Sequence, residues 1–246
     1  MVWTVSEGNE LLDLFTRYNH DLWPVHVLAY AVGVGAVALV FAPARPRADR
    51  VTAALLAALW LWLGVVFQGL YATDIDQPLG LAYAALFILQ AYLLLRHGVL
   101  SHELVFAPRN GLAGCIGWTA IGYAVVVYPL LGTLLGHGWP ESPLLGMAPC
   151  PTTIVTVGLL LLATPPLPHR LLVVPLIWAI LAPPAAMGRG VYEDLGLLVA
   201  GVVATGLILV RDHRLDRLHR IEETRGLDEV ALGPGPTPEG GAPCTS

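Results

Sequence analysis

The sequence predicts an all-α integral membrane protein with seven transmembrane helices, of which the fifth is short and starts inside the membrane. Composition and the length of the apolar runs lead to this fold class. Hydrophobic residues make up 56% of the 246 residues and charged residues only 13%, about half of the charged fraction of a soluble domain. Apolar runs of about 20 residues, the length that crosses a bilayer, recur along the chain.

Six apolar runs have the spanning length, and a seventh run is shorter. The long runs are residues 22–42, 51–71, 78–95, 112–135, 171–187 and 191–210. The short run, residues 152–163, would form about 18 Å of helix in a hydrocarbon core of about 30 Å. If this helix reaches the inner interface, residues 149–153 lie below the outer surface. Because irregular backbone at that depth must contact protein or a water-filled cavity, we expect an outward-facing vestibule floored by these residues.

The distribution of arginine supports seven helices and gives their orientation. All 13 basic residues are arginines, and 11 of them lie in alternate segments between the runs. These segments are residues 43–50, 96–111, 164–170 and 211–225. The positive-inside rule makes this set cytoplasmic, so the N-terminus lies outside and the C-terminus in the cytoplasm. The absence of lysine indicates GC-rich coding, hence the cytoplasmic (inner) membrane of a bacterium.

Two segments flank the transmembrane domain, which covers residues 22–210. Residues 1–21 form an outer segment with an amphipathic helix at the membrane interface. Its apolar residues recur at helical spacing, at Leu11, Leu12, Phe15 and Tyr18. Residues 211–246 combine a charged cytoplasmic helix with a disordered tail rich in Gly and Pro, from residue 233 onwards.

Polar, cysteine and proline residues collect at the outer ends of the predicted helices. The short helix begins at Pro151, so the N–H groups of Thr152 and Thr153 present a positive dipole end to a ligand above them. Cys150 and His137 are weak candidates for metal binding, since no known ligand spacing joins them. The hypothetical ligand-binding set is Cys150, Thr152, Thr153, His137, Tyr128, His26, Glu193 and Asp194.

Plainer interpretations of the same residues stay open. The prolines and tryptophans suit kinks and interface anchors without a site. His26 suits a structural role with hydrogen-bonded ring nitrogens. The predicted topology separates Cys150 from Cys115 and Cys244, so Cys150 is expected to be an unpaired thiol.

Several motifs together resemble an uncharacterised bacterial family of multi-pass membrane proteins, a domain of unknown function. The resemblance rests on Tyr128-Pro129-Leu130-Leu131-Gly132, Gly136-His137, Trp139-Pro140 and, most specifically, Ala148-Pro149-Cys150-Pro151-Thr152-Thr153. It covers nearly the whole chain up to residue 210. Some members are loosely labelled permeases. The resemblance implies a multi-pass membrane fold and brings no catalytic residue.

Three classes of function fit the sequence. A permease or channel for a small solute or ion explains the short helix and the polar outer vestibule. A non-catalytic membrane sensor or assembly factor needs only the fold and the charged tail. A membrane-embedded thiol or metal-dependent enzyme would use Cys150 as nucleophile and His137 as base. The expected partners are the lipid bilayer and a small solute, anion or metal ion, with no nucleic acid, and the sequence identifies no cofactor.

The predicted topology can be tested by cysteine labelling on intact cells. In a chain without its native cysteines, a membrane-impermeant maleimide should label Glu141→Cys from outside and fail to label Thr245→Cys. The reason is the alternation of arginine-rich segments, which places residue 141 outside and the tail inside. Labelling of the tail in intact cells would contradict both the helix count and the orientation.

Overall fold

A computed structural model describes residues 7–42 and 46–232 of the chain. The described residues form helices joined by loops and contain no β-strand. Eight helices, some with 3₁₀ or π-helical segments, follow in order: α1 (Glu7–Asp21), α2 (Trp23–Phe41), α3 (Pro46–Asp74), α4 (Gln77–Leu100), α5 (Gly111–Leu134), α6 (Pro149–Leu162), α7 (Arg170–Met187) and α8 (Leu195–Leu232). The predicted disordered tail and Cys244 lie outside the described residues.

Six of the described helices are long and apolar enough to cross a membrane: α2, α3, α4, α5, α7 and α8 with its preceding turn. Each coincides with one of the long apolar runs, which confirms the all-α class and these six elements. Their outward faces carry large exposed apolar side chains, among them Val27, Leu28, Leu70, Leu112 and Val199. Exposed apolar surface on this scale is typical of a protein whose surroundings are apolar.

Helix α6 is the central element of the bundle. Its 14 residues span about 21 Å, and all of them except Cys150 are buried. It packs against α5, α8 and α7, with further contacts to α3 and α2. The indole N–H of Trp60 on α3 donates to Thr156 Oγ1 at 3.0 Å. Because other helices cover its whole surface, α6 has no outward face.

Two glycines let α5 and α6 approach closely. A Cβ atom built on Gly158 would lie 2.9 Å from the carbonyl oxygen of Gly117, and one on Gly117 would lie 3.0 Å from that of Gly158. Small residues at a helix crossing allow the two backbones to touch, as is common in membrane helix pairs.

The loop between α5 and α6 enters the bundle as buried, non-helical backbone. Residues 142–149 are buried or nearly so. Leu145 packs on α2 at Gly33, where a Cβ atom would lie 2.7 Å from Leu145 Cδ2. Gly146 has a φ of +81°, and a Cβ there would lie 2.8 Å from the carbonyl oxygen of Ala29. Glycine is therefore required at position 146 by both backbone conformation and space.

Several of the long helices deviate from regular α-helix. The π-helical segments are Leu63–Tyr71 in α3, Leu95–Leu100 in α4 and Tyr123–Val127 in α5. The last precedes Pro129, which has no N–H to donate to the carbonyl of Val125, four residues earlier. The hydroxyl of Tyr30 on α2 donates to that carbonyl at 2.5 Å instead. The carbonyl that Pro129 leaves without its helical partner is thus satisfied by a neighbouring helix.

One end of the bundle, called the α1 end below, comprises α1, the α3–α4 turn, the α5–α6 loop and the α7–α8 turn. Arg17 of α1 forms an ion pair with Asp74 at 2.7 Å, and Tyr71 donates to Asp21 at 3.1 Å. The apolar face of α1 is buried against the bundle, including Leu14, Phe15 and Tyr18. Residues Glu7–Asp21 thus form an amphipathic helix whose apolar face packs on protein.

The opposite end holds the α4–α5 loop, the α6–α7 link and the charged extension of α8. The side chains of Arg109 and Arg211 both donate to the carbonyl oxygen of Ala163, just after α6 ends. The carboxylate of Asp212 accepts from the N–H of Leu167 at 2.9 Å and from Arg211 at 2.8 Å. Cations at a helix C-terminus complement its negative dipole end, so these contacts stabilise the end of α6.

Candidate functional site

A cavity of about 550 Å³ lies at the α1 end, above the start of α6. Helices α1, α3, α4, α5, α6 and α7 and the α7–α8 turn all contribute to its lining. Most of its wall is apolar or aromatic, with Phe15, Phe67, Tyr83, Trp178 and Leu181 among the lining side chains. Pockets that hold small molecules have this combination of an apolar wall and few polar groups.

The polar lining of the cavity is small and includes two acidic side chains and one arginine. It consists of Gln68, Asp76, Tyr128, Cys150, Arg189 and Asp194. Asp76 is exposed and caps α4 by accepting from the N–H of Leu79 at 3.0 Å. Gln68 is buried on the π-helical segment of α3. The remaining wall includes Trp178, whose indole N–H has no hydrogen-bond partner among the described residues.

The carboxyl group of Asp194 is the polar centre of the cavity. Tyr128 Oη on α5 donates to its Oδ1 at 2.5 Å, and the Cys150 thiol on α6 donates to its Oδ2 at 3.1 Å. Asp194 itself lies in the 3₁₀ turn Tyr192–Asp194 before α8 and is 2% exposed. A carboxylate offers about four acceptor positions, so this group can accept further hydrogen bonds from the cavity.

The start of α6 is held by its own threonines. The hydroxyl of Thr152 donates to the carbonyl of Ala148 at 2.7 Å and accepts from the N–H of Gly146 at 2.9 Å. The hydroxyl of Thr153 donates to the carbonyl of Pro149 at 2.8 Å. Both residues were in the predicted ligand-binding set. In the structure neither residue lines the cavity, and their hydroxyls fix the first turn of α6, which carries Cys150.

His26 holds the α5–α6 loop through Asn19. Its Nε2 lies 2.8 Å from Asn19 Oδ1, and its Nδ1 lies 3.0 Å from the carbonyl oxygen of Leu22. The amide of Asn19 donates to the carbonyls of Pro140 and Ser142. His26 is buried and does not line the cavity, so its contacts fit the structural interpretation.

Glu193 and His137 lie apart from the cavity lining. Both are buried, and neither oxygen of the Glu193 carboxyl group nor Nδ1 of His137 has a hydrogen-bond partner among the described residues. Although Glu193 and Asp194 are neighbours in sequence, the 3₁₀ turn sends their side chains to different surroundings. Of the eight predicted residues, the structure brings Tyr128, Cys150 and Asp194 together at the cavity.

Cys150 and His137 belong to different groups of side chains. The Cys150 thiol contacts Asp194, whereas Nε2 of His137 lies 3.7 Å from the position of a Cβ atom on Gly190. Among the described residues, no three His, Cys, Asp or Glu side chains are placed to hold one metal ion. Cys115 and Cys150 are unpaired thiols. A thiol that donates its proton to a carboxylate is not arranged as a nucleophile activated by imidazole.

A family model described as "Family of unknown function (DUF6064)" matches residues 9–220 of the chain. The chain belongs to the DUF6064 family. The match covers α1 to α7 and most of α8, so the cavity lies wholly within the DUF6064 domain. The expected membership of a family without an established activity is confirmed. Neither a curated protein nor a solved structure matches the chain.

Several residues that line the cavity of this DUF6064 chain were missed in the predicted site. Trp178 and Tyr83 lie inside long apolar runs, where an aromatic residue carries no signal of a cavity. Gln68, Asp76 and Arg189 are polar residues near predicted helix ends. Their position was visible in the sequence, but their convergence with Asp194 depends on the packing of separate helices.

Substitutions of Tyr128 and Cys150, the two donors to Asp194, test whether these hydrogen bonds stabilise the protein. Cys150→Ser keeps a donor for Asp194 and should unfold near the temperature of the parent protein. Cys150→Ala and Tyr128→Phe each leave one buried oxygen of Asp194 without its donor and should each cost about 1–3 kcal/mol. Thermal unfolding in detergent, followed by tryptophan fluorescence, measures the difference.

Cys115→Ser is the control, because Cys115 is an exposed thiol elsewhere on the bundle, and it should leave stability unchanged. Equal stability of Cys150→Ala and Cys150→Ser would show that the thiol does not support Asp194.

Proposed function

We propose that this chain is a seven-span permease of the bacterial cytoplasmic membrane, with its N-terminus outside. Its solute is small and largely apolar, carries a protonated amine, and enters the cavity from the extracytoplasmic side. The carboxyl group of Asp194 is buried at a cavity whose wall is mostly apolar or aromatic, and this position supports the class of solute.

The orientation rests on the arginines. The opposite end of the bundle holds Arg47, Arg50, Arg96, Arg109 and Arg170, at helix ends and in one loop, whereas the α1 end holds Arg17 and Arg189. The positive-inside rule then makes the opposite end cytoplasmic and the cavity extracytoplasmic. Helix α6 counts as the fifth span, because the chain enters it from the α1 end and leaves it at the opposite end.

The class of solute follows from the charge and donors around Asp194. Both groups that donate to it, a phenol and a thiol, are neutral. A carboxyl group buried in apolar surroundings requires a proton or a cation for neutralisation. An ammonium group would supply positive charge and donate to the remaining acceptor positions of Asp194. The aromatic wall suits the apolar part of such a molecule and contributes cation–π attraction.

Movement of the solute requires the helices around α6 to shift, because α6 closes the base of the cavity. Helices α3 and α5 contain π-helical segments, and α7 contains Pro175, Pro183 and Pro184. Such irregularities are points at which a helix bends, and they are frequent at functional sites. Their position around the cavity supports a permease that opens by bending of these helices.

A membrane sensor is the second candidate, and α8 favours it. This helix begins directly after Asp194 and continues without interruption for 38 residues to Leu232. A ligand that displaces Asp194 would therefore act on a rigid element that ends beyond the bundle. An enzyme based on Cys150 receives no support from the contacts of the thiol.

Ligand-dependent stabilisation of the purified protein tests the class of solute. Phenethylamine should raise the unfolding temperature in a saturable way, whereas phenethyl alcohol and hydrocinnamate, its neutral and anionic counterparts, should have little effect. An amine at 100 times its dissociation constant would stabilise the fold by about 2.7 kcal/mol. Asp194→Asn should weaken amine binding by about tenfold or more, because the ammonium loses its charged partner.

Asp216→Asn is the matched control, since Asp216 is an exposed carboxylate on the extension of α8, and it should keep the full amine effect. Equal stabilisation by hydrocinnamate, or an unchanged amine effect in Asp194→Asn, would refute the proposed solute class. Uptake of the stabilising amine into proteoliposomes supports the permease, and binding without uptake supports the sensor.

A further inference from the structure

A second group of buried polar side chains lies beside Gly132 on α5. Glu193 is 2% exposed, Ser142 4% and His137 9%. Both carboxyl oxygens of Glu193, the hydroxyl of Ser142 and Nδ1 of His137 have no hydrogen-bond partner among the described residues. Buried polar atoms without partners are costly, and a buried carboxylate without a partner is the most costly of them. A bound species that satisfies these atoms together would remove that cost.

Gly132 leaves a space into which oxygen atoms of this group point. A Cβ atom built on Gly132 would lie 3.1 Å from Glu193 Oε1, 3.6 Å from the carbonyl oxygen of His137 and 3.8 Å from Ser142 Oγ. A carboxylate, a carbonyl and a hydroxyl thus converge on one small volume. The glycine backbone forms the wall of that volume, and any side chain at position 132 would enter it.

Separate parts of the fold hold the three oxygens in place. The N–H of His137 donates to the carbonyl of Gly132 at 2.8 Å, which closes the end of α5. The hydroxyl of Tyr123 donates to the backbone carbonyl of Glu193 at 2.6 Å, and Asn19 donates to that of Ser142 at 3.0 Å. The oxygens are therefore positioned by backbone contacts that leave their own lone pairs available.

We propose that the side chains of Glu193 and Ser142 and the carbonyl of His137 form a binding site for a monovalent hard cation, sodium, beside Gly132. Carboxylate, carbonyl and hydroxyl oxygens are the ligands that hard cations prefer. The single carboxylate of the site matches a single positive charge. The buried Nδ1 of His137, which has no hydrogen-bond partner among the described residues, belongs to the same group of side chains. The site is separate from the cavity and does not depend on the proposed solute.

Sodium binding can be measured on the purified full-length chain in detergent, with N-methylglucamine chloride holding the ionic strength constant. Radiolabelled sodium should bind in a saturable way, and sodium should raise the unfolding temperature more than potassium does. Glu193→Gln keeps the shape of the side chain and removes its charge, so apparent sodium affinity should fall by about tenfold or more. Ser142→Ala removes one neutral ligand and should weaken binding by a smaller factor.

Gly132→Ala places a methyl group in the proposed site and should abolish sodium binding. Gly122→Ala is its matched control, because Gly122 lies on the same helix with nothing within 4 Å of the added Cβ, and it should bind sodium like the parent. If Gly132→Ala does not fold, Glu193→Gln and Ser142→Ala still decide the question.

The absence of saturable sodium binding to the parent chain would overturn the proposal and leave a site that holds water only. Unchanged sodium affinity in Glu193→Gln would overturn it as well. Amine binding at Asp194 is measured in medium without sodium. If sodium does not bind, the amine result is therefore unaffected, and if the amine does not bind, the sodium result is unaffected.

Discussion

The shortness of α6 is the constraint on which the rest of the structure depends. A helix of 14 residues covers about 21 Å, so the chain that leads to it must enter the bundle as non-helical backbone. Buried backbone of this kind requires partners for its polar groups. The hydroxyls of Thr152 and Thr153 supply some of them, and Asn19 supplies others further up the loop. Gly146 and the small residues of α2 provide the space for the loop.

The cavity follows from the same constraint. At the start of α6, the surrounding helices enclose a volume that no side chain of α6 fills. Helix α1 packs its apolar face against one side of that volume, and Asp194 reaches its base from the α7–α8 turn. A carboxyl group can remain there because Tyr128 and Cys150 donate to it. The polar centre of the cavity thus results from the meeting of α5, α6 and the α7–α8 turn.

Much of this arrangement could be predicted from the sequence. The lengths of the apolar runs identify the six long helices, and the twelve-residue run after Pro151 identifies the short one. The position of Cys150 at the start of that helix predicts a thiol close to Glu193 and Asp194. In the structure the thiol contacts Asp194. These features are local, because the length of an apolar run and the position of a proline determine the secondary structure of the same segment.

Other features depend on how distant helices pack and could not be read from the sequence. The turn before α8 separates the side chains of Glu193 and Asp194. Asp194 lines the cavity, whereas Glu193 faces Gly132. Trp178 reaches the cavity from the middle of an apolar run. From the sequence, the apolar face of α1 could lie in the membrane interface or pack on protein. The structure shows that this face packs on α3 and on the cavity.

Side-specific modification of Cys150 tests most directly whether α6 starts at the base of a cavity open to one side of the membrane. The chain would carry Cys115→Ser and Cys244→Ser, and a cationic, membrane-impermeant thiosulfonate would be added to sealed vesicles of known orientation. Cys150 should be modified from the side of the α1 end and not from the opposite side. Modification only from the opposite side, or only after the membrane is dissolved, would contradict it.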